Sequence, residues 1–298
     1  MKPVLACLAA LAAGLLAAPG ARAAADCPSG GTLRYGVIPY DASASFVPLY
    51  RRIGELISAK LGCPVQVEIG TSYTATIEAM RAGKIDAAEF GPLSYVLAHQ
   101  IAQAEAVATY ANAEGKPDSY TASIVTWPGS GITALNQAAG HSFAYSDPAS
   151  TSGHLFPAYG LKEAGIDPDK GVRAVYAGSH TASFEALRNH KVDAGELNSP
   201  EIASAQVAGV WDPHAFVTLW TSPPIPQDPI TVRAGLPPAF KARLTGVLQH
   251  LDLGALPADQ LKITGISGKG YVPQTDSAYD GIRDLVSVLN LDLAKLNE

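Results

Sequence analysis

The sequence predicts an α/β protein of two lobes, each a sheet flanked by helices, with a ligand cleft between them. Three observations predict it. Strand-like and helix-like segments alternate through most of the chain, which places helices over the faces of parallel strands. Two connectors, near residues 115–119 and 221–229, bracket a central unit, so the chain leaves one lobe, builds the other and returns. Without its leader the chain keeps about 275 residues, enough for two cores of ordinary domain size.

The leader comes first. Lys2 gives a short basic start, Val4 to Ala18 is apolar, Pro19-Gly20 breaks the run, and Ala21-Arg22-Ala23 supplies the small residues at −3 and −1 of a cleavage site. Residues 1–23 are therefore expected to be a cleavable signal peptide. The apolar run of about 15 residues is short for a membrane span of about 20. Cys7 precedes the apolar run and Cys27 follows Asp26, so neither sits in a lipid-attachment box. Cleavage after Ala23 removes Lys2 and Arg22 and no acid. The 21 basic residues become 19 against 27 acidic ones, a net charge of −8. That balance argues against nucleic acid and an anionic membrane as partners. A small anion remains compatible, because local backbone dipoles outweigh net charge.

The elements follow in order. Leu33–Ile38 reads as a strand, and Phe46 to Leu61 as a helix with Leu49, Ile53, Leu56, Ile57 and Leu61 on one face, ended by Gly62. Val65–Ile69, a helix from Thr74 to Ala82, the strand Ile85–Phe90 and a helix over Ser94–Ala102 complete the first run. Cys27 and Cys63 each stand just before a strand, so adjacent parallel strands bring them together. A disulfide is expected in an exported chain; the alternative is two unpaired thiols. The second unit starts near Tyr120. It holds strands at Thr121–Trp127, Ser142–Ser146, Val172–Tyr176, Val192–Leu197 and Phe216–Trp220, with helices from Thr151 to Ala164 and Thr181 to Asn189. Thr221 to Pro229 carries Pro223, Pro224, Pro226 and Pro229 and reads as an extended connector. Ile230–Arg233, the helix Ala239–Leu251 and a last helix near Ala278–Leu289 return to the first lobe.

The chemistry concentrates at strand-to-helix turns. Asp147-Pro148-Ala149-Ser150-Thr151-Ser152-Gly153 opens a helix, where unpaired N–H groups and the helix dipole meet three successive hydroxyls. A phosphoryl or sulfonyl group fits such a nest without Lys or Arg. The plainer reading is an ordinary N-cap by Ser150 or Thr151. Gly70-Thr71-Ser72-Tyr73-Thr74 and Gly91-Pro92-Leu93-Ser94-Tyr95 are two further turns, which put Tyr73 and Tyr95 at one end of the first sheet. Each tyrosine is also readable as a buried, hydrogen-bonded core residue. His180, in Gly178-Ser179-His180-Thr181, is placed to donate to an anion near Ser150–Ser152, or serves structure alone. Asp228, held between prolines, accepts from a protonated oxyanion or an ammonium, or is an idle loop carboxylate.

Ser150, His180 and Asp228 make a conceivable triad, but the chain has no G-x-S-x-G elbow, so a hydrolase is disfavoured. The seven histidines show no H-E-x-x-H or tight pairing, so no metal is expected. Walker A and G-x-G-x-x-G segments are absent, and no cofactor is expected.

Over nearly its whole mature length the chain resembles the phosphonate/phosphite-type substrate-binding subunits of ABC importers. The likeness rests on Tyr35-Gly36-Val37-Ile38-Pro39, on Tyr73 with Ile77-Glu78-Ala79-Met80, and on Gly83 through Tyr95. It continues in Asp147 to Gly153, Gly178-Ser179-His180, Gln227-Asp228-Pro229-Ile230, and Gly270-Tyr271-Val272-Pro273 with Tyr279-Asp280. The resemblance implies a type II periplasmic-binding-protein fold with mixed sheets, closing on its ligand by a hinge. Its lobes are residues 24–118 with 225–298, and 119–224. It implies that Ser150, Thr151, Ser152 and His180 hold the oxyanion, that Tyr73 and Tyr95 reach in from lobe one, and that Asp228 is the acid on the crossing strand. The implied partners are a phosphonate, phosphite or phosphate ligand in the periplasm and a permease in the inner membrane; the sequence carries no sign of self-assembly, so a monomer is expected. A sensor for a membrane histidine kinase is the alternative use of this fold. Three features depart from the family pattern. Ser72 replaces a frequent Asp, Glu89 replaces a frequent aromatic, and Glu196 and Glu201 lie near where some members place an acid for a ligand amine.

Overall fold

The computed structural model describes residues 27–263, 268–293 and 296; the expected signal peptide, residues 1–23, lies outside the described residues. The chain begins with β1 (Leu33–Val37), α1 (Phe46–Leu61) and β2 (Val65–Ile69). Leu49, Ile53 and Ile57 of α1 are fully buried, each stabilising the fold by about 1.5–3 kcal/mol. Gly62 ends the helix at φ 72°, a left-handed turn that glycine makes without Cβ strain. β1 and β2 pair in parallel from Leu33↔Val65. Just before that first pair, Cys27 and Cys63 are joined by a disulfide across 5.9 Å between Cα atoms.

Next come α2 (Tyr73–Arg81), β3 (Ala87–Glu89), α3 (Pro92–Ala102) and β4 (Ala104–Tyr110). The short β5 (Ser119–Tyr120) leads into β6 (Ala122–Thr126) and β7 (Ser142–Tyr145), followed by a π-turn over Thr151–Leu155 and α4 (Phe156–Glu163). Then follow β8 (Arg173–Tyr176), α5 (His180–Arg188), β9 (Ala194–Asn198), α6 (Ser199–Val207) and β10 (Val217–Thr221). The return is made by β11 (Ile225–Pro226), β12 (Pro229–Arg233), α7 (Pro238–Gln249), β13 (Tyr271–Pro273) and α8 (Asp280–Leu289).

Two sheets result. The first has the order β13-β4-β12-β3-β1-β2 and the second β10-β6-β9-β7-β8. Each is parallel where strand and helix alternate, β2-β1-β3 and β8-β7-β9. Each turns antiparallel at β12 and β4, or β6 and β10, where the chain crosses between sheets. Alternation alone predicts parallel strands only, because it does not report strands added by a chain that leaves and returns. The proline-rich connector is also more ordered than its composition suggests: β11 pairs antiparallel with β5, Ile225 opposite Tyr120. The two crossings thus form a small ribbon between the sheets. α8 closes on the first sheet's helices, with Tyr279 and Ile282 packed in one cluster with Leu93, Tyr95 and Leu97.

Candidate functional site

Helices begin at the carboxyl ends of the parallel strands, and in open α/β sheets ligands bind there. In this chain the two sheets present those ends to each other. Ile38 and Tyr40 follow β1, Tyr73 opens α2, and Glu89 and Gly91 end β3. From the other sheet, Ser150–Ser152 follow β7, His180 opens α5, and Asn198 and Pro200 follow β9. With Tyr110, Tyr120, Gln227 and Asp228, they line one cavity of about 40 Å³. A water needs about 10–15 Å³ on this measure, so the space suits a small ligand.

The segment after β7 is built for an anion. Ser150 caps the following turn, its Oγ accepting the Gly153 N–H at 3.1 Å. Leu155 N–H reaches back five residues to the Ser150 carbonyl, so the helix opens as a π-turn where an α-helix over Thr151 to Ala164 is expected. Such turns recur at functional sites. Thr151 and Ser152, as its first residues, have N–H groups with no intrahelical acceptor. Their hydroxyls are oriented by donors that occupy one lone pair each: Leu93 N–H donates to Thr151 Oγ1 at 2.8 Å, and Asn198 Nδ2 to Ser152 Oγ at 3.0 Å. A hydroxyl that already accepts is left with its own O–H to donate. Ser150, Thr151 and Ser152 are 1–2% exposed.

His180 donates Nδ1–H to Glu196, 2.9 Å from Oε2, and turns Nε2 to Ser150 Oγ at 3.3 Å. With Nδ1 held, Nε2 accepts from the Ser150 hydroxyl when the ring is neutral and donates when it is protonated. Glu196, not Asp228, is therefore the carboxylate partner of His180. Asp228 lines the cavity, and burial, with Glu89 adding its charge, pushes its carboxyl well above the usual carboxylate range. Tyr73 and Tyr120 also line the cavity, their phenols pushed up by burial.

Six of the seven ligand residues expected from the sequence thus converge: Tyr73, Ser150, Thr151, Ser152, His180 and Asp228. Tyr95 does not line the cavity. Its hydroxyl donates to Asp276 at 2.7 Å and its ring packs on Tyr279 at 4.9 Å. It points along α3 toward the returning chain, away from the cleft. Glu196 and Glu201 also stand outside the cavity lining, Glu196 taken by His180 and Glu201 accepting from Thr181 Oγ1 at 3.3 Å. Tyr40, Tyr110, Tyr120, Asn198 and Gln227 were not singled out from the sequence, and only the meeting of the two sheets brings them together.

The sheets meet through direct bonds. His180 N–H donates to the Tyr40 carbonyl at 3.0 Å, Ala42 N–H to Thr181 Oγ1 at 3.1 Å, and Ser204 Oγ to Asp41 Oδ2 at 2.8 Å. This is a closed arrangement, with the cavity walled from both sides.

Known proteins share this architecture. A family model described as "ABC transporter, phosphonate, periplasmic substrate-binding protein" matches residues 35–279. The chain is 26% identical over 281 residues to the phosphate-import protein PhnD of Mycolicibacterium smegmatis, covering 89% of this chain and 88% of that one. It is 26% identical over 271 residues to the phosphonates-binding periplasmic protein of Escherichia coli, covering 89% and 79%. In fold it is similar to the solved structure of PhnD1 from Prochlorococcus marinus in complex with methylphosphonate, with a TM-score of 0.75 at 21% identity, covering 87% of this chain and 98% of that one.

Proposed function

Because the chain belongs to the family of periplasmic phosphonate substrate-binding proteins of ABC transporters, we propose that its cavity takes a small phosphorus oxyanion and holds it by hinge closure. One observation carries this reading. Thr151 and Ser152 each accept one N–H and so keep their own hydroxyl proton to donate, and both line the cavity beside the free amides of their own turn. Neutral donors of this kind stabilise an oxyanion through charge-assisted bonds, without a buried cation. Tyr73, Tyr120 and His180 add donors from both sides, and Asp228 accepts a ligand proton. The hinge is the β5–β11 ribbon, with lobes of residues 24–118 and 225–298, and of 119–224.

The protein acts as a monomer in the periplasm after removal of residues 1–23, and passes its ligand to a permease in the inner membrane. Its role is binding for transport rather than catalysis, as in the family to which it belongs, and that role needs no bond to break. A melting-temperature screen over phosphonates, phosphite, phosphate, sulfonates and sulfate tests the reading. A ligand at 100 times its Kd stabilises by about 2.7 kcal/mol. If no phosphorus oxyanion raises the melting temperature, the ligand class is wrong.

A further inference from the structure

Two buried acids meet where the sheets touch, outside the cavity. Asp41 follows β1, Glu201 stands in the first turn of α6, and each is 5% exposed. Both are tied across the contact. Ser204 Oγ, from α6, donates to Asp41 Oδ2 at 2.8 Å. Ala42 N–H donates to Thr181 Oγ1 at 3.1 Å, and that hydroxyl donates in turn to Glu201 Oε2 at 3.3 Å. The loop after β1 thus seats on α5 and α6, and no cation comes with it: among the described residues neither acid makes an ion pair.

The charges that face Glu201 are acids as well. Asp41 comes from the loop after β1, Glu196 from β9 and Glu185 from α5. The bases nearby are taken: His180 holds Glu196 and Arg188 holds Glu185. The short helix over Ala258–Ile263, packed against α6, carries Asp259 and Lys262, both exposed. Carboxylates gathered in a buried contact without a cation are costly unless one of them holds a proton. Burial, then the charges of Asp41 and Glu196, push the Glu201 carboxyl up to about 9, so Glu201 is the one that keeps it. With the sheets apart Asp41 is withdrawn, and Glu201 is left at a helix start, where the dipole favours the carboxylate.

Resting on the hinge-closure reading above, we propose that Glu201 is a positioning residue that couples closure to proton uptake: the sheets shut on a ligand as Glu201 takes a proton to meet Asp41, and part as that proton is lost. The proton comes from solvent, and Glu201 passes from carboxylate to carboxylic acid with no other bond changed. Two events that favour the same closed state favour each other. A lower pH therefore tightens ligand binding, and a rising pH loosens it, although Glu201 does not touch the ligand.

Calorimetry with methylphosphonate, in buffers of different ionisation enthalpy at pH 7, counts the protons taken up on binding. The ligand and the cavity groups His180, Glu89 and Asp228 can exchange protons too, so the readout is the difference between the wild-type chain and Glu201→Gln, which keeps the shape of the protonated acid and cannot titrate. The wild-type chain should take up about 0.5–1 proton more than the variant. From pH 6 to pH 8 its affinity should fall by about 3–10-fold per pH unit relative to Glu201→Gln, the slope that such a proton difference imposes. Should Glu201→Gln not fold, Glu201→Met, of similar length and also without a carboxyl, takes its place. Equal proton counts and parallel pH profiles overturn the proposal while the oxyanion reading stands. Failure of methylphosphonate, phosphite and phosphate to bind at all overturns both.

Discussion

The side-chain oxygen of Thr151 accepts the backbone N–H of Leu93 at 2.8 Å, one bond that spans the cleft between the two sheets. Thr151 also lines the cavity, and its hydroxyl keeps a proton to donate. Ligand capture and closure thus share one side chain. Thr151→Ala should weaken binding of the tightest oxyanion by about 1–3 kcal/mol, the cost of losing a hydrogen bond to a charged group. Thr151→Ser should recover most of it. Calorimetry on both variants checks this, and an unchanged affinity in Thr151→Ala would reduce the residue to a structural cap.

Tyr95 makes the opposite case. Its hydroxyl serves Asp276, which also pairs with Arg283. Tyr95→Phe should leave ligand affinity within about twofold while lowering stability by about 0.5–1.5 kcal/mol. Paired calorimetry and denaturant unfolding separate the two effects; a large loss of affinity would place Tyr95 back at the ligand.

That contrast marks what the sequence makes legible. The turns at Ser150–Ser152, Tyr73 and His180 carry local signals, because capping chemistry and strand ends are written within a few residues. Tyr95 sits at an equivalent turn, but which way α3 rotates depends on what packs against it, here Tyr279 from the far end of the chain. β4 is missing from the sequence reading because Ala104-Glu105-Ala106-Val107-Ala108 is poor in β-branched residues; its place between β12 and β13 makes it a strand. α6 had a readable start, Asn198-Ser199-Pro200-Glu201, where Asn198 does cap the Glu201 N–H at 2.7 Å. Tyr40, Tyr110 and Gln227 have no local signal: each becomes a cavity residue only when the two sheets close.

Gly153 is confined by its neighbours. A Cβ there would lie 1.7 Å from Ser146 Oγ and 2.8 Å from both Ser146 Cβ and Ser150 Oγ. Ser146 is fully buried and has no room to retreat. Gly153→Ala should cost about 1–3 kcal/mol of stability by overpacking and should weaken binding by displacing the Ser150 cap. Normal affinity and stability together would mean that the turn re-forms freely.

Cys27 and Cys63 close a loop of sequence separation 36. Chain-entropy arguments give such a crosslink about 4 kcal/mol. The exported chain should show no titratable thiol when denatured without reductant. Cys27→Ser with Cys63→Ser should lose up to about that stability in denaturant melts, with ligand affinity retained, since the bridge lies at the strand entries and the cavity at the strand exits.

Glu201 predicts a pH dependence with a definite sign. Its carboxyl is pushed up to about 9, first by burial, then by the charges of Asp41 and Glu196. The folded chain keeps this proton to about pH 9, whereas the unfolded chain releases it near the ordinary 4.5. Between those values the folded state binds more protons, so stability falls as pH rises. The contribution is fully present below about 4.5 and is eroded up to about 9. Glu201→Gln does not titrate and keeps the shape of the protonated acid. Its stability relative to the wild-type chain should therefore grow from pH 5 to pH 8 by about 1–3 kcal/mol, a pKa unit being worth about 1.4 kcal/mol before relaxation is allowed for. Denaturant melts of both chains at both pH values measure the change. A difference that stays flat would mean that Glu201 is ionised in the folded chain, with Asp41 too far to oppose it.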